Sequence, residues 1–79
     1  MKVYLVYWCN NEPYEDYSES VDAVFSTYEG AVRHIEGCGY VLRTDPDDFC
    51  VKRGMKRWDK RIDEWDTFSM WVREMEVGE

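Results

Sequence analysis

VDAVFSTYEGAVRHIE, residues 21–36, changes its hydrophobic period halfway along. Val21 to Phe25 alternates in part between apolar and polar residues and reads as a strand. From Ser26 onward the spacing differs. Tyr28, Ala31, Val32 and Ile35 fall at i, i+3, i+4 and i+7, which is one apolar stripe of a helix. Ser26 with Glu29 three residues later fits a capping box at the junction. Gly37 and Gly39 supply the stop. So short a helix is marginal in water, so it must be held by packing on a sheet. A strand running into one short amphipathic helix points to an α+β domain.

Upstream lies NNEPYEDYSES, residues 10–20, with four carboxylates, two tyrosines and no Lys or Arg. Asn10, Asn11 and Pro13 are turn formers, so this is a long polar hairpin loop. Before it, KVYLVYW (residues 2–8) is continuously apolar and rich in Val, Tyr and Trp. It suits a strand buried on both faces, or one packed on a helix and covered by aromatics on its other side. The polar loop predicts that it pairs antiparallel with residues 21–25.

Downstream, Tyr40 to Leu42 reads as a short strand or as the exit from the helix. TDPDD, residues 44–48, is a second helix start, with Asp45 as N-cap, Pro46 in first position and Asp47 and Asp48 in the first turn. Lys52 and Arg53 then fall in the last turn and Gly54 beyond it, which predicts a short helix over 46–53. A strand through FCVK (49–52) is the competing reading. Met55 to Asp66 carries Trp58, Ile62 and Trp65 at helical spacing and is too charged for an inner strand. It predicts an irregular or helical crossover with both tryptophans at the core edge. In Thr67 to Val77, Phe68, Met70 and Val72 share one face, while Trp71, Met75 and Val77 lie largely on the other. That is a strand, central and next to the first. The expectation is one domain over residues 1–79, of order β-β-α-(α)-β. Its small antiparallel sheet has three to four strands and a helix packed on one face.

Composition narrows the function. No apolar run approaches the ~20 residues of a membrane-spanning helix, and the apolar N-terminus has no small-residue cleavage site after it, so it reads as a strand and not a signal peptide. Cys9, Cys38 and Cys50 are odd in number and lack any Cys-x-x-Cys pair, which favours buried thiols in a reducing, cytoplasmic compartment. The formal net charge is −7. Residues 1–51 hold Lys2, Arg33 and Arg43 against ten carboxylates, whereas residues 52–79 are balanced. An acidic surface repels phosphate backbones and suits a basic partner.

The residues of a catalytic apparatus do not assemble in the sequence. His34, the only imidazole, lies at the edge of the helix stripe, and the Ser and Thr residues have no neighbouring base. Gly37 and Gly39 follow a helix, whereas phosphate-binding glycines precede one. Glu12, Glu15, Asp16 and Glu19 are oxygen ligands in type but lack calcium-loop spacing. A non-enzymatic protein without cofactor is expected.

Two surfaces remain. The first is the acidic loop, in which Glu12, Glu15, Asp16 and Glu19 surround Tyr14 and Tyr17. Tyrosine gives large rigid contact area with a hydroxyl, and carboxylates steer a basic protein surface. The second is the run Lys52, Arg53, Lys56, Arg57, Trp58, Lys60 and Arg61, where cations interleaved with an aromatic can hold a nucleic-acid strand. Its charges could instead pair with the acidic half, within the fold or between two copies in a homodimer.

KVYLVY at the start, VDAVFSTYEGAVRHIE in the middle and MWVREMEV at the end resemble a group of small bacteriophage and bacterial proteins. These share a KVY-x-V strand, a VFST strand-to-helix junction and a closing strand that bears Trp. The resemblance covers residues 2–40 and 68–77; residues 43–66 depart from the short connection of that group. It transfers no catalytic residue. By analogy with phage accessory proteins, it implies a protein of the host cytoplasm that binds and blocks a basic host protein. An anti-defence, anti-CRISPR-like inhibitor of a nucleic-acid-handling enzyme is the particular form expected.

Overall fold

The computed structural model describes residues 1–12 and 14–78; Pro13, Glu79 and the side chain of Tyr14 fall outside the described residues. The strands are β1 (Lys2–Cys9), β2 (Glu19–Phe25), β3 (Val41–Leu42), β4 (Trp58–Arg61) and β5 (Thr67–Glu76). The helices are α1 (Tyr28–Gly37) and the single turn α2 (Phe49–Lys52). One five-stranded sheet results, ordered β2-β1-β5-β4-β3, and every pairing is antiparallel. The domain is α+β as the periodicities predict, with more strands than the three to four expected.

β1 and β5 form the centre, paired from Lys2 with Glu76 to Cys9 with Ser69. Strand alternation then sorts their side chains. Tyr4, Val6 and Trp8 of β1 and Phe68, Met70 and Val72 of β5 pack in or against the core beneath α1, with Ala31, Ile35, Tyr40 and Trp58. On the opposite face Tyr7 stacks on Trp71 at 5.6 Å. β1 is thus the strand with a helix on one side and aromatics on the other. β2 carries an irregularity at Asp22, where Val6 pairs with Ala23 but Tyr7 pairs with Val21.

The strand-to-helix junction holds one residue later than the capping box predicts. Thr27, not Ser26, is the N-cap of α1, and its hydroxyl accepts from the Gly30 amide. With the cap at Thr27 the third helical position is Gly30, so the Glu29 half of the box is lost. The C-terminus closes as the glycines predict. Gly39 adopts φ +92, its amide donates to the Glu36 carbonyl, and the Tyr40 amide donates to that of Ile35. That pair of bonds is a Schellman motif, and the Tyr40–Ile35 contact is its usual apolar partner.

The second helix start is also displaced. Asp45 caps a turn instead, accepting from the Asp47 amide through its side chain. Asp48 is the N-cap of α2 and accepts from the Cys50 and Val51 amides. The helix therefore covers 49–52 and not 46–53, and FCVK is not a strand.

The larger correction is at 55–66. Trp58–Arg61 is a strand between β3 and β5, not an irregular or helical crossover. Charge does not exclude it because each charged side chain has a local partner. Asp59 forms a paired contact with the Arg43 guanidinium and accepts from Ser69. Lys60 donates to the Cys38 carbonyl and lies 5.9 Å from the Tyr40 ring. Trp58, set between, is 2% exposed and belongs to the core. Trp65 is not at the core edge; it is 87% exposed. Of the three free cysteines only Cys9 is buried; Cys38 is exposed and Cys50 half-buried.

Candidate interaction surface at the acidic end of the sheet

Both candidate surfaces depend on where the strands end. β1 leaves the sheet at Cys9 opposite Ser69, and β4 and β5 are joined by a tight turn over residues 62–66. The long loop 10–18 and this turn therefore lie side by side. Asn11 joins them, its amide donating to the Thr67 carbonyl at 2.6 Å and to the Ser69 hydroxyl at 2.8 Å. Asn10 shapes the long loop, accepting from the Glu12 and Ser18 amides and donating to the Asp16 carbonyl at 2.7 Å. Asp63 shapes the turn, accepting the Trp65 and Asp66 amides at 2.8 Å each. Those amides hold the Asp63 carboxyl below its ordinary range.

The juxtaposition enlarges the acidic patch. Glu12 of the long loop, with Asp16 near it, meets Asp63 and Asp66 of the turn. Glu12 records the crowding: its carboxyl is held above the ordinary range by a hydrogen bond shared with Asp66, by desolvation, and by the charges of Asp66, Asp16 and Asp63. Residues 14–16 form one 3₁₀ turn that leaves Glu15 and Asp16 exposed. Tyr17 is 47% exposed and donates to Glu19 at 2.6 Å, a bond that pushes its hydroxyl up to about 12. The other anchor expected from the sequence, the Tyr14 side chain, lies outside the described residues.

Trp65 was not among the residues the sequence singled out for this surface. Read at helical spacing with Trp58 and Ile62, it belonged to the core edge. Had 58–61 been taken as a strand, Asp63 would have marked a turn and Trp65 its tip. An exposed Trp amid carboxylates is a feature of interaction surfaces, where Trp, Tyr and Arg dominate the binding energy.

The basic segment is dispersed. Lys52 ends α2 and Arg53 is its C-cap, with the Arg53 guanidinium 4.8 Å from the Phe49 ring. Lys56 faces Tyr28 at 5.7 Å, near the start of α1. Arg57 lies on the other face of the sheet, 4.8 Å from the Trp71 ring, and donates to Cys9 Sγ at 3.1 Å and Asn11 Oδ1 at 3.0 Å. Lys60 reaches the end of α1, and Arg61 donates to the Asp63 carbonyl at 3.1 Å. Alternation along a strand sends neighbouring cations to opposite faces. Buried Trp58 offers no ring to a base, and Trp71 is flanked by Tyr7 on the β1 side and Arg57 on the β4 side. Arg57, Lys60 and Arg61 thus have partners within the chain.

Elsewhere, His34 pairs with Asp22 at 2.7 Å beside the Phe25 ring. No three His, Cys, Asp or Glu side chains converge to hold a metal among the described residues. No described helix is long and apolar enough to cross a membrane. β5 beyond Met70 has no strand beside it on the β4 side. A face-preserving antiparallel pairing of two such edges centred on Glu74 or Met75 sets Glu74 against Glu74 or Glu76, and like charges directly opposite are destabilising.

These features define an α+β domain of one antiparallel sheet and the two helices α1 and α2, with an acidic, aromatic-tipped loop end. Comparison with protein-family models, with curated proteins and with solved structures finds no match.

Proposed function

We propose that this chain is a non-enzymatic protein-binding module that presents its acidic loop end to a basic surface of a partner protein. The observation that carries the reading is the convergence of the two segments at Glu12, which meets Asp63 and Asp66 of the turn that bears exposed Trp65, while exposed Tyr17 of the loop holds Glu19. Fixed carboxylates project a field like that of a phosphate backbone, and Trp and Tyr supply the desolvated contact that charge alone does not. The resemblance to phage proteins makes the partner a host enzyme that handles nucleic acid, blocked by occupation of its phosphate-binding surface.

The test is affinity capture from bacterial lysate at two salt concentrations. It compares the native chain with E12K/E15K/D16K/E19K and with Trp65→Ala. A specific partner captured by the native chain should be lost with the charge-reversed chain and reduced with Trp65→Ala. Its retention by both variants would move the site away from this end. A mobility shift with single- and double-stranded nucleic acid is expected to be negative; salt-sensitive binding at micromolar protein would favour the basic segment instead.

A further inference from the structure

β5 changes its surroundings halfway along. From Thr67 to Met70 it lies between β1 and β4, whereas beyond Met70 it pairs with β1 alone. The direction of its free backbone groups follows from one end of the sheet. The Val77 amide donates to the Met1 carbonyl at 2.8 Å, and the Met1 amino group donates to the Val77 carbonyl at 3.5 Å, so this facing pair is hydrogen-bonded. Bonded and non-bonded pairs alternate along an antiparallel ladder, and the register of β1 on β5 runs without irregularity. Met75, Arg73 and Trp71 therefore turn their amides and carbonyls to β1, while Glu76, Glu74, Val72 and Met70 turn theirs away. Met70 meets Trp58 of β4. The outward amides and carbonyls of Val72, Glu74 and Glu76 have no backbone partner among the described residues. Continued in register, β4 would set Lys56 against Val72. Instead the chain stands off, and an open pocket of about 340 Å³ remains, lined by Cys50, Met55, Lys56, Arg57, Trp71 and Val72.

We infer that this edge receives an extended segment of a partner protein as an added strand, antiparallel to β5, with basic side chains on one face and apolar ones on the other. The edge lies at the Lys2–Glu76 end of the sheet, and the acidic loops lie at the Cys9–Ser69 end. It is therefore a surface apart from the one proposed above. Two observations select the occupant. The first is the backbone: free N–H and C=O groups at every second residue are met by a strand, whereas a helix has its own groups already bonded. The other edges suit a strand less, because β2 is irregular at Asp22 and β3 has only two residues. The second is charge. Glu74 and Glu76 share one face of the edge with Val72, and their side chains stay more than half exposed beside Tyr4, Lys2 and the Met1 amino group. Trp71 and Met75 share the other face, with Arg73 between them, and Met75 is 41% exposed. A second copy paired across this edge sets Glu74 against Glu74 or Glu76, or Arg73 against Arg73, according to its centre, and like charges directly opposite are destabilising. A strand with Lys or Arg opposite Glu74 and Glu76 and apolar residues between gains opposite-charge pairs instead. Its C-terminal end reaches the pocket beside Val72.

The experiment titrates the isotope-labelled chain with a peptide of about nine residues, within the usual length of a strand, in which Lys and Val alternate. In the free chain the amides of Val72, Glu74 and Glu76 should exchange with solvent faster than those of Trp71, Arg73 and Met75. The peptide should shift the outward amides and slow their exchange. Directly opposed residues of a bonded pair share a face, so the Lys amides are the ones turned to β5. N-methylation of the Lys amides should therefore weaken binding about tenfold or more, and N-methylation of the Val amides should leave it. E74K/E76K should lose the Lys–Val peptide and bind a Glu–Val peptide of the same length. Equal effects of the two methylations overturn strand addition, whatever the charge variant does. Shifts confined to residues 10–19 and 62–66 overturn the edge site and credit the acidic end. No binding at millimolar peptide overturns the inference and leaves the acidic-end reading standing, since that reading is tested by capture through the loop.

Discussion

The part of the sheet beneath α1 and the part beyond it share strands β1, β2 and β5 but differ in almost every other respect. Beneath the helix, Val6, Ala31 and Ile35 are fully buried and Met70 nearly so. Beyond it, the side chains of Trp8 and Phe68 are only partly covered, and two loops set carboxylates against one another. The first region gains stability from apolar burial, at roughly 25 cal/mol per Å² removed from water. The second works against stability, since Glu12 would be more comfortable protonated. In the protein-binding reading proposed above, a surface that costs the fold something and is nevertheless shaped by Asn10, Asn11 and Asp63 serves a partner. Interaction surfaces commonly carry such unrelieved charge, to be neutralised on binding.

That contrast can be broken by substitution. The largest loss should follow Trp58→Ala beneath α1, about 3–5 kcal/mol by denaturant unfolding. Trp58→Phe should cost less, because the indole N–H it removes is buried without an acceptor. A Trp58→Ala cost below about 1 kcal/mol would deny this region its role as the core. Next comes Gly39→Ala at the end of α1. Its φ of +92 is one that L side chains rarely adopt, and the expected loss is roughly 1–2 kcal/mol. A neutral effect would mean that the helix terminus can relax.

The smallest effect should appear at the acidic end and carry the opposite sign. Glu12→Gln should raise the melting temperature slightly at pH 7. The folded-state pKa of Glu12 is raised, so its carboxyl contributes stability below the unfolded value, and that contribution is lost as pH rises through the folded value. The glutamine variant should therefore gain at neutral pH and converge with the native chain once the carboxyl is protonated. Asp63 runs the other way: its pKa is lowered, and its contribution is lost as pH falls through the folded value. Melting curves at pH 7 and pH 4 separate the two, and a destabilised Glu12→Gln at pH 7 would remove the argument that this end is strained by charge.

Much of the fold was legible locally. The change of period at residue 26, the apolar run at 2–8 and the two-faced pattern at 67–77 each encode an element by side-chain spacing alone. The misplaced caps at Ser26 and Asp45 have a common cause. Ser26–Thr27 and Asp45–Asp48 each offer more than one capping side chain, and tertiary packing selects where the first turn begins. β4 was missed for a different reason. KRWDKRIDEW looks too polar for an inner strand until Arg43, Ser69 and the end of α1 are brought beside it, from 16, 10 and 22 residues away.

The site divides along the same line. Sequence alone determined that an acidic, tyrosine-bearing loop follows the first strand, because composition and turn chemistry act over a few neighbours; β2 begins at Glu19 and takes Glu19 and Ser20 out of the 10–20 loop that the sequence predicts. It also determined the α+β class, since periodicity is a property of each segment by itself. Tertiary structure decided that residues 62–66 stand beside that loop, that Trp65 is exposed while Trp58 is buried, and that the basic segment is divided between two faces. Those facts follow from strand register and from a helix too short for its sheet, and both depend on contacts between segments that no local pattern records.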